Sequence, residues 1–253
     1  VPDVGTFLLL VAGGLGAGLS GTMAGLASLF SYPALLAAGL PAVAANVTNT
    51  VALTVTSVGA AAGSRPELTG QWPTVRRFAA LTALGGALGA GLLLITPPGA
   101  FEKVVPVLIG GAGAVLLFQP QLRAAVLRKA GEDHRGGPVV LAGILAVAVY
   151  GGYFGAAAGV LLLALLLVAL PVSMLQGNAI KNVLLGVSNA IAAICFALFA
   201  PVDWWAVLPL AAGALLGARL GPVVARHLPP TALRIGIAMA GLGLAVVLAV
   251  QAW

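Results

Sequence analysis

Apolar residues run through this chain in stretches long enough to hold whole membrane helices. No charged residue stands between Asp3 and Arg65, between Arg77 and Glu102, or between Arg135 and Lys181. A helix needs roughly 20 apolar residues to cross a hydrocarbon core, so these gaps hold many spans. Polar punctuation predicts two helices closing each half, at about 78–95 and 101–118 and at about 205–225 and 232–252. Residues 5–62 read as a re-entrant hairpin followed by one full helix, and 138–199 read the same way. Three short crossings are the other reading. Helix breakers cluster at Gly18–Gly21 and again at Gly151–Gly155. Non-helical backbone at membrane depth survives only where protein or a polar cavity surrounds it, so two such breaks are expected to meet near the midplane. The competing reading is that these glycines only let helices cross closely.

The chain also contains itself twice. A shift of 132 residues lays Asn46 on Asn178, Trp72 on Trp204 and Pro97-Pro98 on Pro229-Pro230. Upstream a shift of 130 lays Gly21 on Gly151, Gly25 on Gly155 and Leu40-Pro41 on Leu170-Pro171. The scarce residues carry this match, because coincidences among Ala, Leu and Val mean little here. The halves are 1–118 and 138–253, joined by a basic linker at 119–137. A duplicated, very apolar chain is the signature of a secondary transporter or channel.

Composition confirms the solvent. The chain is 61% hydrophobic and 7% charged, against about 25% charged in soluble domains. The alternating pattern of a membrane barrel is absent. The expected class is an all-α polytopic membrane protein of two inverted-topology repeats. The net charge of +6 sits mostly in short connecting segments, which fits loop asymmetry rather than a nucleic-acid groove. One cysteine, Cys195, allows no intrachain disulfide, and no metal or cofactor site is expected. Thr6–Leu19 lacks a basic flank and is not read as a cleaved signal.

The positive charges set the orientation. Segment 63–77 holds Arg65, Arg76 and Arg77, while its repeat partner holds only Asp203. The turn after Pro97-Pro98 holds Lys103 with Glu102, while its partner holds Arg219, Arg226 and Arg234. The bias swaps between halves, as inverted repeats require. The linker is expected to be cytoplasmic, with both termini on the far side of an inner membrane. Arg76, Arg77, Arg128 and Lys129 read as orientation anchors.

Polar residues inside the apolar stretches are the candidate chemistry. Asn46, Thr48, Asn49 and Thr50 follow Leu40-Pro41, and their repeat partners include Asn178, Lys181 and Asn182. Residues four apart stack on one helical face, so each half carries a polar stripe. An ammonium at mid-membrane depth costs at least ~2.5–3.5 kcal/mol and usually faces a cavity. The competing readings are that Lys181 reaches an interface along its own stem and that the amides are interhelical glue. One lysine among amides and hydroxyls, with no deep carboxylate, describes an anion site. Helix N-termini at the breaks are expected to add partial positive charge. A membrane enzyme is disfavoured, because no deep Ser/His, paired Asp or metal-ligand cluster is visible. Finding a His or Asp beside Ser20 or Ser188 would revive it.

Several runs resemble the sulfite exporter TauE/SafE family of membrane transporters: SGTMAGLASLFSYPALL from Ser20 to Leu36, GLPAVAANVTNTVAL from Gly39 to Leu53, GSRPEL from Gly63, WPTVRR from Trp72, and AFEKVVPVL from Ala100. The resemblance implies a transporter with two pseudo-symmetric halves and a substrate site between them. On the residues that match, it implies roles for Asn46, Thr48, Asn49 and Thr50, joined by Ser20, Thr22 and Ser28 at the first break. The repeat adds Asn178, Lys181 and Asn182, and Tyr150 and Tyr153 at the second break are lining candidates, with an interface belt as their other reading. The expected function is export of sulfite or an organosulfonate by alternating access, and the alternative is an anion channel. Expected partners are a small sulfur anion and the lipid bilayer, with a homodimer left open.

Overall fold

The computed structural model describes residues 3–118, 120–121, 124, 137–225 and 230–252. The described residues form helices and no strands. In the first half these are α1 (Val4–Ala24), α2 (Ser28–Ala37), α3 (Ala42–Gly63), the single turn α4 (Arg65–Leu68), α5 (Trp72–Ile95) and α6 (Pro98–Leu117). In the second half they are α7 (Pro138–Tyr153), α8 (Ala158–Ala169), α9 (Met174–Phe199), α10 (Trp204–Ala225) and α11 (Pro230–Ala252). The linker expected at 119–137 falls almost entirely outside the described residues, as do its anchors Arg128 and Lys129 and the predicted loop charge Arg226.

Local chemistry sets the starts. The Asp3 carboxylate accepts from the Thr6 N–H at 2.9 Å and caps α1. Ser173 and Gln176 form a reciprocal capping box that starts α9, satisfying two donors that a helix start leaves open. Proline takes the first turn of α5 and α7, where its missing N–H costs nothing. The closing helices therefore begin earlier than the apolar runs suggest, and Arg76 and Arg77 lie inside α5.

Each half opens with a helix, of 21 residues in α1 and 16 in α7, then a short break and a shorter helix. α2, with 10 residues, and α8, with 12, are too short to span a core that takes roughly 20. The first break comes later than expected. Gly18 and Gly21 are helical, and the chain turns at Gly25 (φ 73°) through Ala27. Gly18 serves the other purpose weighed for it, because a methyl there would overlap the Ala214 carbonyl oxygen of α10. In the second half the break spans Phe154–Ala157, with Gly155 (φ 77°) and Ala157 (φ 60°) left-handed.

The interior is knitted across the halves. α1 lies along α10 and α5 along α7, and these are the most extensive helix contacts. Gly14, Gly18, Gly213 and Gly217 bring α1 and α10 backbone to backbone, which suits a solvent where packing rather than the hydrophobic effect joins helices. Two pairs of helices that hold the same place in the element order of the two halves also meet. In α6 and α11, Gly110 faces Ala245 while Gly113 faces Leu242 and the Ala238 carbonyl, so the pair runs antiparallel. In α3 and α9, Ser57 touches Gly186, and Thr48 bonds to Asp203 just beyond the α9 end, so this pair is antiparallel too.

Candidate functional site

The two breaks meet. A methyl on Gly25 would stand 3.3 Å from the Gly159 backbone at the start of α8. Around this contact lies a cavity of about 100 Å³, room for a few waters or one small polyatomic ion. Its walls are the last turns of α1 and α7, the first residues of α2 and α8, and facing stretches of α3 and α9.

Lys181 lines this cavity at 2% exposure. It lies about 11 Å along the axis from the start of α9. Its ammonium donates to Asn178 Oδ1 at 2.7 Å. The stem does not carry the charge to an outer surface, so the interface reading of Lys181 fails. Asn182, Asn49, Thr50, Thr22 and Ser28 line the same cavity. Asn49 Nδ2 donates to the Ser28 hydroxyl at 3.1 Å, while Asn49 Oδ1 is buried with no partner. The Thr22 and Thr50 hydroxyls donate back to the Gly18 and Asn46 carbonyls at 2.9 and 3.1 Å.

The other candidates are placed around the cavity rather than on it. Asn46 Nδ2 donates to the Tyr153 carbonyl at 2.8 Å, tying α3 to the second break. Thr48 Oγ1 accepts from the Asp203 N–H at 2.9 Å. Asn178 does not line the cavity and meets it only by accepting from the Lys181 ammonium. The Tyr150 hydroxyl donates to the Ala156 carbonyl across its own break. Tyr153 stacks edge-on with Phe101, which also meets Phe154, and Phe154 meets Tyr32. The Ser20 hydroxyl reaches the carbonyls of Ala17 and Leu26 and Ser188 reaches that of Ala148, so neither is activated by a His or Asp among the described residues.

Three polar lining residues are absent from the sequence-based candidates: Thr56, Ser57 and Asn189. Thr56 is seven positions beyond Asn49, and Asn189 is seven beyond Asn182. The signal was there, because a stripe recurring at seven stays on one face. A second cavity of about 740 Å³ lies between α3, α9 and α4, with Arg65 and Trp72 on its wall, and it shares Ser57 and Asn182 with the first.

The breaks also alter the expected electrostatics. Each presents a helix N-terminus (α2, α8) beside a helix C-terminus (α1, α7). The opposed half-charges offset one another to first order, so the ammonium rather than the helix ends sets the sign of the site.

A multi-pass helical protein with a buried cation between two broken helices is, as a class, a membrane transporter. Its family is shown by sequence: the model of the sulfite exporter TauE/SafE family matches residues 10–248, and the chain belongs to that family. It is similar to the probable membrane transporter protein YfcA of Escherichia coli (strain K12), at 27% identity over 81% of this chain and 75% of that protein. The same figures hold for its counterpart in Escherichia coli O157:H7. No solved structure matches.

Proposed function

We propose that this protein exports a small sulfur oxyanion, sulfite or an organosulfonate, across an inner membrane, with the linker on the cytoplasmic side. The observation that carries the reading is Lys181, an ammonium 2% exposed at the wall of a cavity between two chain breaks. A buried cation with no carboxylate beside it among the described residues calls for an anion. Asn49 supports this. A half-turn of an amide exchanges its oxygen and nitrogen. Such a half-turn, with Ser28 donating to the oxygen, would turn the unpartnered buried atom of Asn49 into a second amide donor at the cavity wall.

Alternating access is supported by the antiparallel α3/α9 and α6/α11 pairs, as a two-fold axis in the membrane plane would produce. Rocking one set of helices about that axis would open the cavity to each side in turn. Outward movement of an anion from a negative interior is favoured by ~2.3 kcal/mol per charge per 100 mV, so exit needs no coupling ion. A channel is the second reading, and the adjoining larger cavity favours it, because a shared wall at Ser57 and Asn182 is a short step from a continuous path.

The test is exchange in liposomes. Labelled sulfite efflux accelerated by unlabelled sulfite outside, and lost in a folded Lys181→Gln protein, supports the carrier. Efflux indifferent to external sulfite indicates the channel. Efflux unchanged by Lys181→Gln removes the proposed site.

A further inference from the structure

We infer that the cavity between the breaks takes one negative charge at a time, so its substrate is a monoanion: hydrogensulfite or a monosulfonate rather than a dianion such as sulfate. This rests on the anion site proposed above and follows from a charge account of its walls. Lys181 is the only charged residue among the described lining, and in the sequence it is the only charge between Arg135 and Asp203. The elements packed on α9 add nothing that reaches it. α3 and α8 carry no charged or titratable residue, and α7 carries only Tyr150 and Tyr153. α4 holds Arg65 and Glu67 and α5 holds Arg76 and Arg77, and none of the four lines this cavity. Helix ends do not supply a second positive charge, because each break pairs an N-terminus with a C-terminus and their dipoles oppose.

One ammonium therefore neutralises one charge. A second negative charge would sit buried and unpaired, and an unpaired buried charge is what protein interiors exclude most strongly. The remaining polar side chains on the lining are hydroxyls and amides, which can donate to oxygens but carry no formal charge to balance a second one. Sulfite loses its second proton near neutral pH, so the protonated form would be the one carried.

The full-length protein in detergent gives the test, by melting against three probes. Methanesulfonate carries one charge and sulfate two, at nearly equal size. Sulfite is measured on both sides of neutrality. The expected result is affinity for methanesulfonate at least ~100-fold above that for sulfate. Sulfite affinity should fall as pH rises through its second ionisation while methanesulfonate affinity stays level, which separates ionisation of the ligand from that of Lys181. Sulfate binding as tightly as methanesulfonate, or sulfite binding more tightly as pH rises, overturns the monoanion rule and leaves the anion site standing. No shift with any of the three overturns both.

Discussion

The polar helices α3 and α9 occupy equivalent places in the two halves, yet they do different work. In α3 the first two polar residues are spent on structure: Asn46 holds the Tyr153 carbonyl and Thr48 receives the Asp203 N–H. In α9 the equivalent of Asn49 is Lys181, and its neighbour Asn178 serves that ammonium. The two stripes are similar in sequence, and both hold buried polar side chains, but their partners differ. One copy braces the opposite half, and the other carries charge. The breaks differ in the same way. The first turns on Gly25, while the second places a left-handed Ala157 beside Gly155.

The largest expected effect is on transport. Lys181→Gln should abolish sulfite exchange and leave the melting temperature unchanged or higher, since a buried ammonium is costly. Combining Lys181→Asn with Asn49→Lys moves the charge to the equivalent place on α3, and exchange should partly return. Failure of that swap in a folded protein would show that α9 offers more than a place for a charge.

Next comes Asn46→Ala, which leaves the Tyr153 carbonyl without its donor. Loss of a buried partner costs about 1–3 kcal/mol, read as a lower melting temperature with sulfite affinity retained. A variant that melts normally but binds poorly would put Asn46 in the site and erase the contrast. At the tips, Gly25→Ala should destabilise and Ala157→Gly should stabilise, each by about 1 kcal/mol, because only glycine takes the left-handed region without strain. The smallest effect is Thr48→Val, which gives up one hydrogen bond at about 0.5–1.5 kcal/mol with no change in transport kinetics.

Much of this was legible beforehand, for identifiable reasons. Charge-free runs expose apolar helices directly, because a span must be free of charge over its whole length. Lys181 stood out because nothing else near it is charged. The first break was misplaced at Gly18–Gly21 because glycine marks both close crossings and chain turns, and only the α10 backbone beside Gly18 tells which. The left-handed Ala157 has no signal in sequence at all. Asn46 looked like its neighbours on the stripe, and only the position of Tyr153, 107 residues away, makes it a brace. The opposed helix ends at each break were also hidden, since they depend on where the chain turns.

The most direct measurement of the central claim is the melting curve of the purified protein with and without sulfite, for the natural sequence and for Lys181→Gln. A ligand at 100 times its dissociation constant stabilises by ~2.7 kcal/mol. The account predicts that upward shift in the natural protein and its loss in a Lys181→Gln protein that still melts cooperatively. An equal shift in both would contradict it, because the anion would then be held somewhere other than the cavity between the breaks.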